Sequence, residues 1–313
     1  MEKMYLIDGH ADILYRMEKE GLDFHNPNSG LHLGYDRLAK AGIDLQFFVL
    51  FSGPPYTPEE QLTMTLGYID TFYEVVCKHG IRPVLSRVDL QKNLELGVRS
   101  GLLSIEGGDL LQGDIRILRM MYRMGVRAMG LTWNNGNCIA DGVGEVEDRG
   151  LTAFGRQVVQ EMNSLGMVVD VAHLAPRGFW DVMELSQAPV IASHANASAI
   201  HDHRRNLTDD QLKALFKTNG LVGVTYVPAF ICNGPASISH LMRHIDHILS
   251  LGGENHLGFG SDFDGIETTM TDLEHGEHYH RLIEAVNKAY GDDVTRKICG
   301  GNFKRVLESI LKE

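Results

Sequence analysis

The feature that most constrains the chain is an alternation, kept up along its length, of short apolar runs and longer amphipathic segments. Apolar runs at 4–8, 43–51, 101–107, 126–133, 167–173, 189–194, 220–227 and 256–262 read as strands. Several, such as IDLQFFVLF and GLVGVTYV, have almost no polar side, as expected of strands covered on both faces. The intervening segments, among them TPEEQLTMTLGYIDTFYEVVCKHG and TDDQLKALFKTNG, mostly open on Ser or Thr followed by an acid or Gln and close on Gly. That is the start and stop chemistry of helices. Eight such strands in 313 residues predict the α/β class and a (β/α)8 TIM barrel, as a single domain over 1–313 with extra C-terminal helices at 272–288 and 291–312. A doubly wound sheet is the competing architecture, but the first strand runs into DGHAD and not into a Gly-rich phosphate loop.

Charge narrows the partners. A net charge of -12, from 29 basic and 41 acidic residues, leaves no basic footprint for nucleic acid or an anionic membrane. No run of apolar residues is long enough for a membrane span, and acids and a histidine interrupt the N-terminal stretch where a secretion signal needs continuous apolar residues. The four cysteines are far apart in sequence and suggest neither a zinc knuckle nor a disulfide framework. A cytoplasmic protein acting on a small molecule is the expectation.

In barrel enzymes the reacting groups sit at the C-terminal ends of the strands. At those ends the chain carries His10 and Asp12, then Glu106, then Trp133 with Asn134, then His173, His194 and Asp262. A lone histidine after an apolar strand is ordinarily a hydrogen-bonded turn residue. Three of them with three carboxylates at one address are different, because burying so many ionisable groups together without a cation is expensive. Imidazole and carboxylate without thiolate suit zinc, with manganese, cobalt or iron as alternatives. His10, Asp12, Glu106, His173 and His194 exceed what one open site needs, so two Zn2+ per chain are expected, with Glu106 as the bridge. Asp262 is then free to move a proton. By contrast, His240, His244 and His247, at helical spacing, are expected to line a solvated or partner-facing stripe.

The segments DGHADIL, SIEGG, GVRAMGLTWNNGNCIADG, GMVVDVAHLA, PVIASHANASAIHDHRRNLTDDQL, GFGSDFDG and GGNFKRVL follow one another over nearly the whole chain. Together they resemble the renal (membrane) dipeptidase family of the amidohydrolase superfamily, in the manner of its bacterial cytoplasmic members. The resemblance implies a (β/α)8 barrel, a binuclear zinc centre and hydrolysis of dipeptides, L-Xaa-D-Xaa peptides included. It implies His10, Asp12 and Glu106 around one ion, Glu106, His173 and His194 around the other, and Asp262 as the acid/base. Arg205 aligns with the arginine that holds the substrate carboxylate, a task suited to a planar guanidinium. Trp133 stands where mammalian members have a histidine that contacts the scissile group, which leaves Asn134 or Asn137 to supply a donor. Substrate pockets are expected from loops 52–60, 134–150 and 228–238, and a homodimer is among the expected states. Two rivals are a deacetylase, lactonase or phosphotriesterase built on the same metal site, and an inactive barrel kept as an interaction protein.

Overall fold

A computed structural model describes residues 3–313, in which nine parallel strands form one sheet. They are β1 (Ile7–Ala11), β2 (Leu45–Phe51), β3 (Arg82–Pro83), β4 (Ser100–Glu106), β5 (Val126–Gly130), β6 (Val168–Asp170), β7 (Val190–Ala192), β8 (Leu221–Val224) and β9 (Leu257–Phe259). The order β2-β1-β9-β8-β7-β6-β5-β4 closes on itself because β2 also pairs with β4, from Leu45 opposite Ser100 to Phe51 opposite Glu106. Eight strands therefore make a closed parallel barrel surrounded by helices, the (β/α)8 architecture. The ninth, β3, is a two-residue addition paired with β4 and had no signal in the sequence.

The helices start where the side chains permit. Thr57 accepts from the Glu60 backbone N–H while Glu60 accepts from that of Thr57, opening the helix Pro58–Thr71 with a reciprocal cap. Thr208 and Gln211 do the same for Asp209–Lys217. Each such cap contributes about 1 kcal/mol. The interior is filled in layers. Ile7, Leu45, Leu102, Ala128, Val168, Ile191 and Leu221, one from each of seven strands, pack with Phe303 from the helix Asn302–Ile310 into one apolar cluster. That helix closes the N-terminal end of the barrel and leaves the other end open for chemistry.

Some expected boundaries move. The first strand is Ile7–Ala11 and not 4–8, because the polar stretch through His10 continues the barrel wall. The runs 167–173, 189–194, 220–227 and 256–262 pair over three or four residues only. Their remaining apolar residues, such as the buried Tyr226, roof the barrel without joining the ladder. The expected helix 272–288 begins at Tyr279, after a short 3-10 turn at Gly276–His278, and the helix continues to Arg296 with a break at Gly291, φ 78°. The histidine stripe is also corrected. His244 is fully buried, its ring bonded to the Ala197 N–H and the Ile231 carbonyl, because the helix Ile238–Ser250 packs that face inward.

Candidate metal centre

Strand ends bring the predicted residues together. His10 Nε2 lies 3.6 Å from Asp12 Oδ2, 3.6 Å from Glu106 Oε2 and 3.9 Å from Asp262 Oδ1. On the other side, Glu106 Oε1 is 2.9 Å from His173 Nε2 and 3.5 Å from His194 Nε2. One carboxylate thus turns an oxygen toward each group of donors. The sets His10, Asp12, Asp262 and Glu106, His173, His194 each have ligand atoms within 4.8 Å of one another. The backbone is bent to serve this: His173 and Asp262 adopt left-handed φ values of 68° and 63°. Such conformations cost about 1–3 kcal/mol each in residues with a Cβ and concentrate at functional sites.

The donor set fits divalent cations. His10 Nε2 and Asp12 Oδ1 are buried with no hydrogen-bond partner among the described residues. His173 Nε2 and His194 Nε2 face each other at 2.9 Å. Buried lone pairs so arranged repel unless a positive charge lies between them. The titration behaviour agrees. Burial disfavours a charged His10, yet the Glu106 and Asp12 carboxylates outweigh it and hold its proton well above the usual imidazole range. Burial, helped by Arg205, lowers His173 to about 4, and burial with the His10 charge pushes His194 down as well, leaving both neutral and able to ligate. Burial raises Asp262 to about 7, with the His10 charge opposing and Asp12 and Glu106 adding to the rise. Loading a divalent cation at pH 7 is therefore expected to displace the His10 proton. Titration calorimetry in two buffers of different ionisation enthalpy should read release of about one proton per chain.

Two supports were not foreseen from the sequence. Ser193 Oγ donates to Asp170 Oδ2 at 2.5 Å and so accepts from His194 Nδ1 at 2.8 Å, with His10 Nδ1 at 3.4 Å. Asp170 also takes the Ser193 and Ala172 N–H groups, which fixes it beneath the site. A single hydroxyl thereby points the Nε2 atoms of two candidate ligands, His194 and His10, into the cavity. Asn134 Oδ1 accepts from His173 Nδ1 at 2.8 Å and orients the third. Ser193→Ala is expected to weaken metal binding about 10–100-fold, measured by competition with a chelator, because such outer partners set tautomer and basicity. The usable signal was an acid inside an otherwise apolar strand, VVDVAH.

The cavity above these residues holds about 440 Å³ and is lined by Asp12, Glu106, Trp133, His173, Phe230 and Asp262 among others. Pro54, Asn134 and Phe230 show that all three expected loops contribute. Trp133 packs between Phe51 and His173, with ring centroids at 5.4 and 6.2 Å. Asn137 departs from expectation. Its amide nitrogen donates to the Leu131 carbonyl and Asp109, and its oxygen accepts from the Ile139 and Ala140 N–H groups, so it staples its own loop and offers nothing to a substrate. Arg205 is buried behind His194, donating to that residue's carbonyl at 3.0 Å, while its Nε has no partner among the described residues. It lines an adjoining cavity of about 220 Å³ that shares His173 with the larger one.

Comparison with known proteins places this geometry. Residues 1–312 match the profile described as Membrane dipeptidase (Peptidase family M19). The structure is similar to that of the dipeptidase AC, a metallo peptidase, at 27% identity and TM-score 0.92, with 100% of both chains covered. A metallo peptidase from Rhodobacter sphaeroides, liganded with a phosphinate mimic of the dipeptide L-Ala-D-Ala, matches at 25% identity and TM-score 0.90, covering 99% of this chain and 100% of that one. The probable dipeptidase PvdM from Pseudomonas aeruginosa shares the fold at 18% identity, TM-score 0.91, over 98% of this chain and 96% of its own. No helix among the described residues is long and apolar enough to cross a membrane. With the barrel, the convergent donors and a match over essentially every residue, the chain belongs to the membrane dipeptidase family of metallopeptidases.

Proposed function

We propose that the chain is a binuclear-metal dipeptidase using zinc, acting in the cytoplasm on dipeptides with a free C-terminal carboxylate, L-Xaa-D-Xaa peptides included. The observation that carries this reading is the division of Glu106, one oxygen toward His10 and the other toward His173 and His194. Bound divalent cations would polarise the peptide carbonyl and lower the pKa of water toward neutrality. His10, Asp12 and Glu106 would hold one, Glu106, His173 and His194 the other. Asp262, raised to about 7 mainly by burial, can take a proton near neutral pH and return it to the leaving amine. Arg205 is the residue assigned to the C-terminal carboxylate, and Trp133 with Phe51 forms an aromatic wall beside the reacting bond. The stereochemical part of the proposal draws on the L-Ala-D-Ala mimic held by the Rhodobacter protein. The cytoplasmic part draws on four cysteines that are all free.

A second hydrolase reading keeps the metals and changes the bond to an amide, lactone or phosphotriester of a neutral substrate. One observation favours it: Arg205 lines the adjoining cavity and not the main one. Arg205→Met separates the two. Under the dipeptidase reading KM for dipeptides rises about 30-fold or more with metal content unchanged, as expected when one partner of a buried charge pair is truncated. An unchanged KM, or no turnover of any dipeptide by the metal-loaded protein, favours the rival.

A further inference from the structure

A second chamber of about 490 Å³ opens beside the metal cavity and shares Tyr15, Lys19, Phe51 and Pro54 with it. Tyr56, Met64 and Tyr68 join Tyr15 and Phe51 in its walls, beside the polar Glu18, Lys19 and Ser52. Tyr15 and Phe51 meet edge to face with centroids 5.4 Å apart, and Phe51 meets Trp133 at the same separation. An aromatic surface therefore runs without interruption from the ligand His173 into the chamber. Two of the polar groups along it are engaged. Glu18 Oε1 accepts from Thr71 Oγ1, and Ser52 Oγ is bonded to Thr65 Oγ1. The ammonium of Lys19 sits over the Tyr15 ring at 5.1 Å, at the exposed rim.

The position of the chamber in the barrel gives it a role. Around the closed ring the strands run β1, β2, β4, β5, β6, β7, β8, β9, so β2 stands four places from β7, directly across the axis. Arg205 lies on the segment after β7, while Phe51 ends β2 and Ser52 to Tyr56 follow it. A dipeptide with its carboxylate toward Arg205 and its scissile bond over the central donors must point its N-terminal residue toward β2. Resting on the dipeptidase reading, we infer that the chamber receives the side chain of the substrate's N-terminal residue and selects for aromatic and other large apolar ones. The aromatic and thioether side chains of this lining reward burial of apolar surface, and its charged members, Glu18 and Lys19, lie exposed.

The test compares L-Phe-D-Ala and L-Trp-D-Ala with L-Ala-D-Ala on the metal-loaded protein. The aromatic peptides should exceed the alanine peptide in kcat/KM by about 10–200-fold, the range over which an apolar pocket discriminates. Met64→Trp, which fills the chamber, should lower that ratio at least to a tenth (about 10-fold) of its wild-type value by the same logic. Tyr56→Ala, at a side chain 45% exposed and thus tolerant of change, should lower it too. The ratio is insensitive to partial unfolding, which reduces both rates together. A wild-type ratio near unity, or one that neither variant moves, overturns the chamber assignment while leaving the dipeptidase reading intact. No turnover of any peptide overturns both.

Discussion

Asp262→Asn is expected to lower kcat for a dipeptide by about 10²–10⁴-fold while the protein keeps its metal. The substitution preserves shape and removes the negative charge together with the ability to accept and return a proton. Asp262 is anchored independently of its carboxylate, since its N–H donates to the His10 carbonyl at 3.0 Å, so the backbone geometry survives the change. Burial raises the carboxyl to about 7, which suits the two-way proton transfer proposed for it. An asparagine variant that turns over dipeptides at the wild-type rate would remove this residue from the chemistry. Metal content measured on the same sample separates that result from simple loss of the ions.

Glu106→Ala should have the second large effect, at the level of the ions themselves. Among the described residues Glu106 is the only carboxylate whose two oxygens face the two donor groups separately, so its removal should degrade both. The loss of affinity should exceed the about 10–100-fold that follows removal of an outer partner such as Ser193. Elemental analysis after dialysis reads the outcome directly, and two ions retained per chain would contradict the bridge. The variant should also lose most of the proton release on loading, because the Glu106 carboxylate is the largest of the attractions that keep His10 charged.

The barrel and the convergence of its donor residues were legible in the sequence for a physical reason. Strands covered on both faces leave long apolar runs, and against them a histidine or acid at the end stands out. His10, Glu106, His173, His194 and Asp262 all announce themselves in this way. Asp170 did not, because it lies within the same short run as His173, and its role depends on Ser193, a residue with no distinctive pattern. Asn137 misled in the opposite direction. An Asn beside a strand end looks available, but four hydrogen bonds to its own loop and to Asp109 consume it. The position of Arg205 behind His194 depends on how the segment after β7 folds back, which local pattern does not encode.

Gly265, the final residue of GSDFDG, explains part of what made that segment recognisable. A Cβ there would stand 2.2 Å from Asp12 Oδ2 and 2.8 Å from Asp262 Oδ1, so any larger residue would push both carboxylates aside. The motif records a steric demand of the site.

Phe303 carries a different message. Its ring fills the space where side chains at Gly9 and Gly258 would otherwise project, at 2.3 and 2.6 Å from a built Cβ, and it also meets the Phe47 ring. Gly9 is the residue immediately before His10. Shortening Phe303 would thus leave a void directly under the first strand, and slack introduced at the floor would be felt as misaligned donors at the rim. Thermostability screens that alter the last helix should accordingly be scored for metal retention as well as for melting temperature.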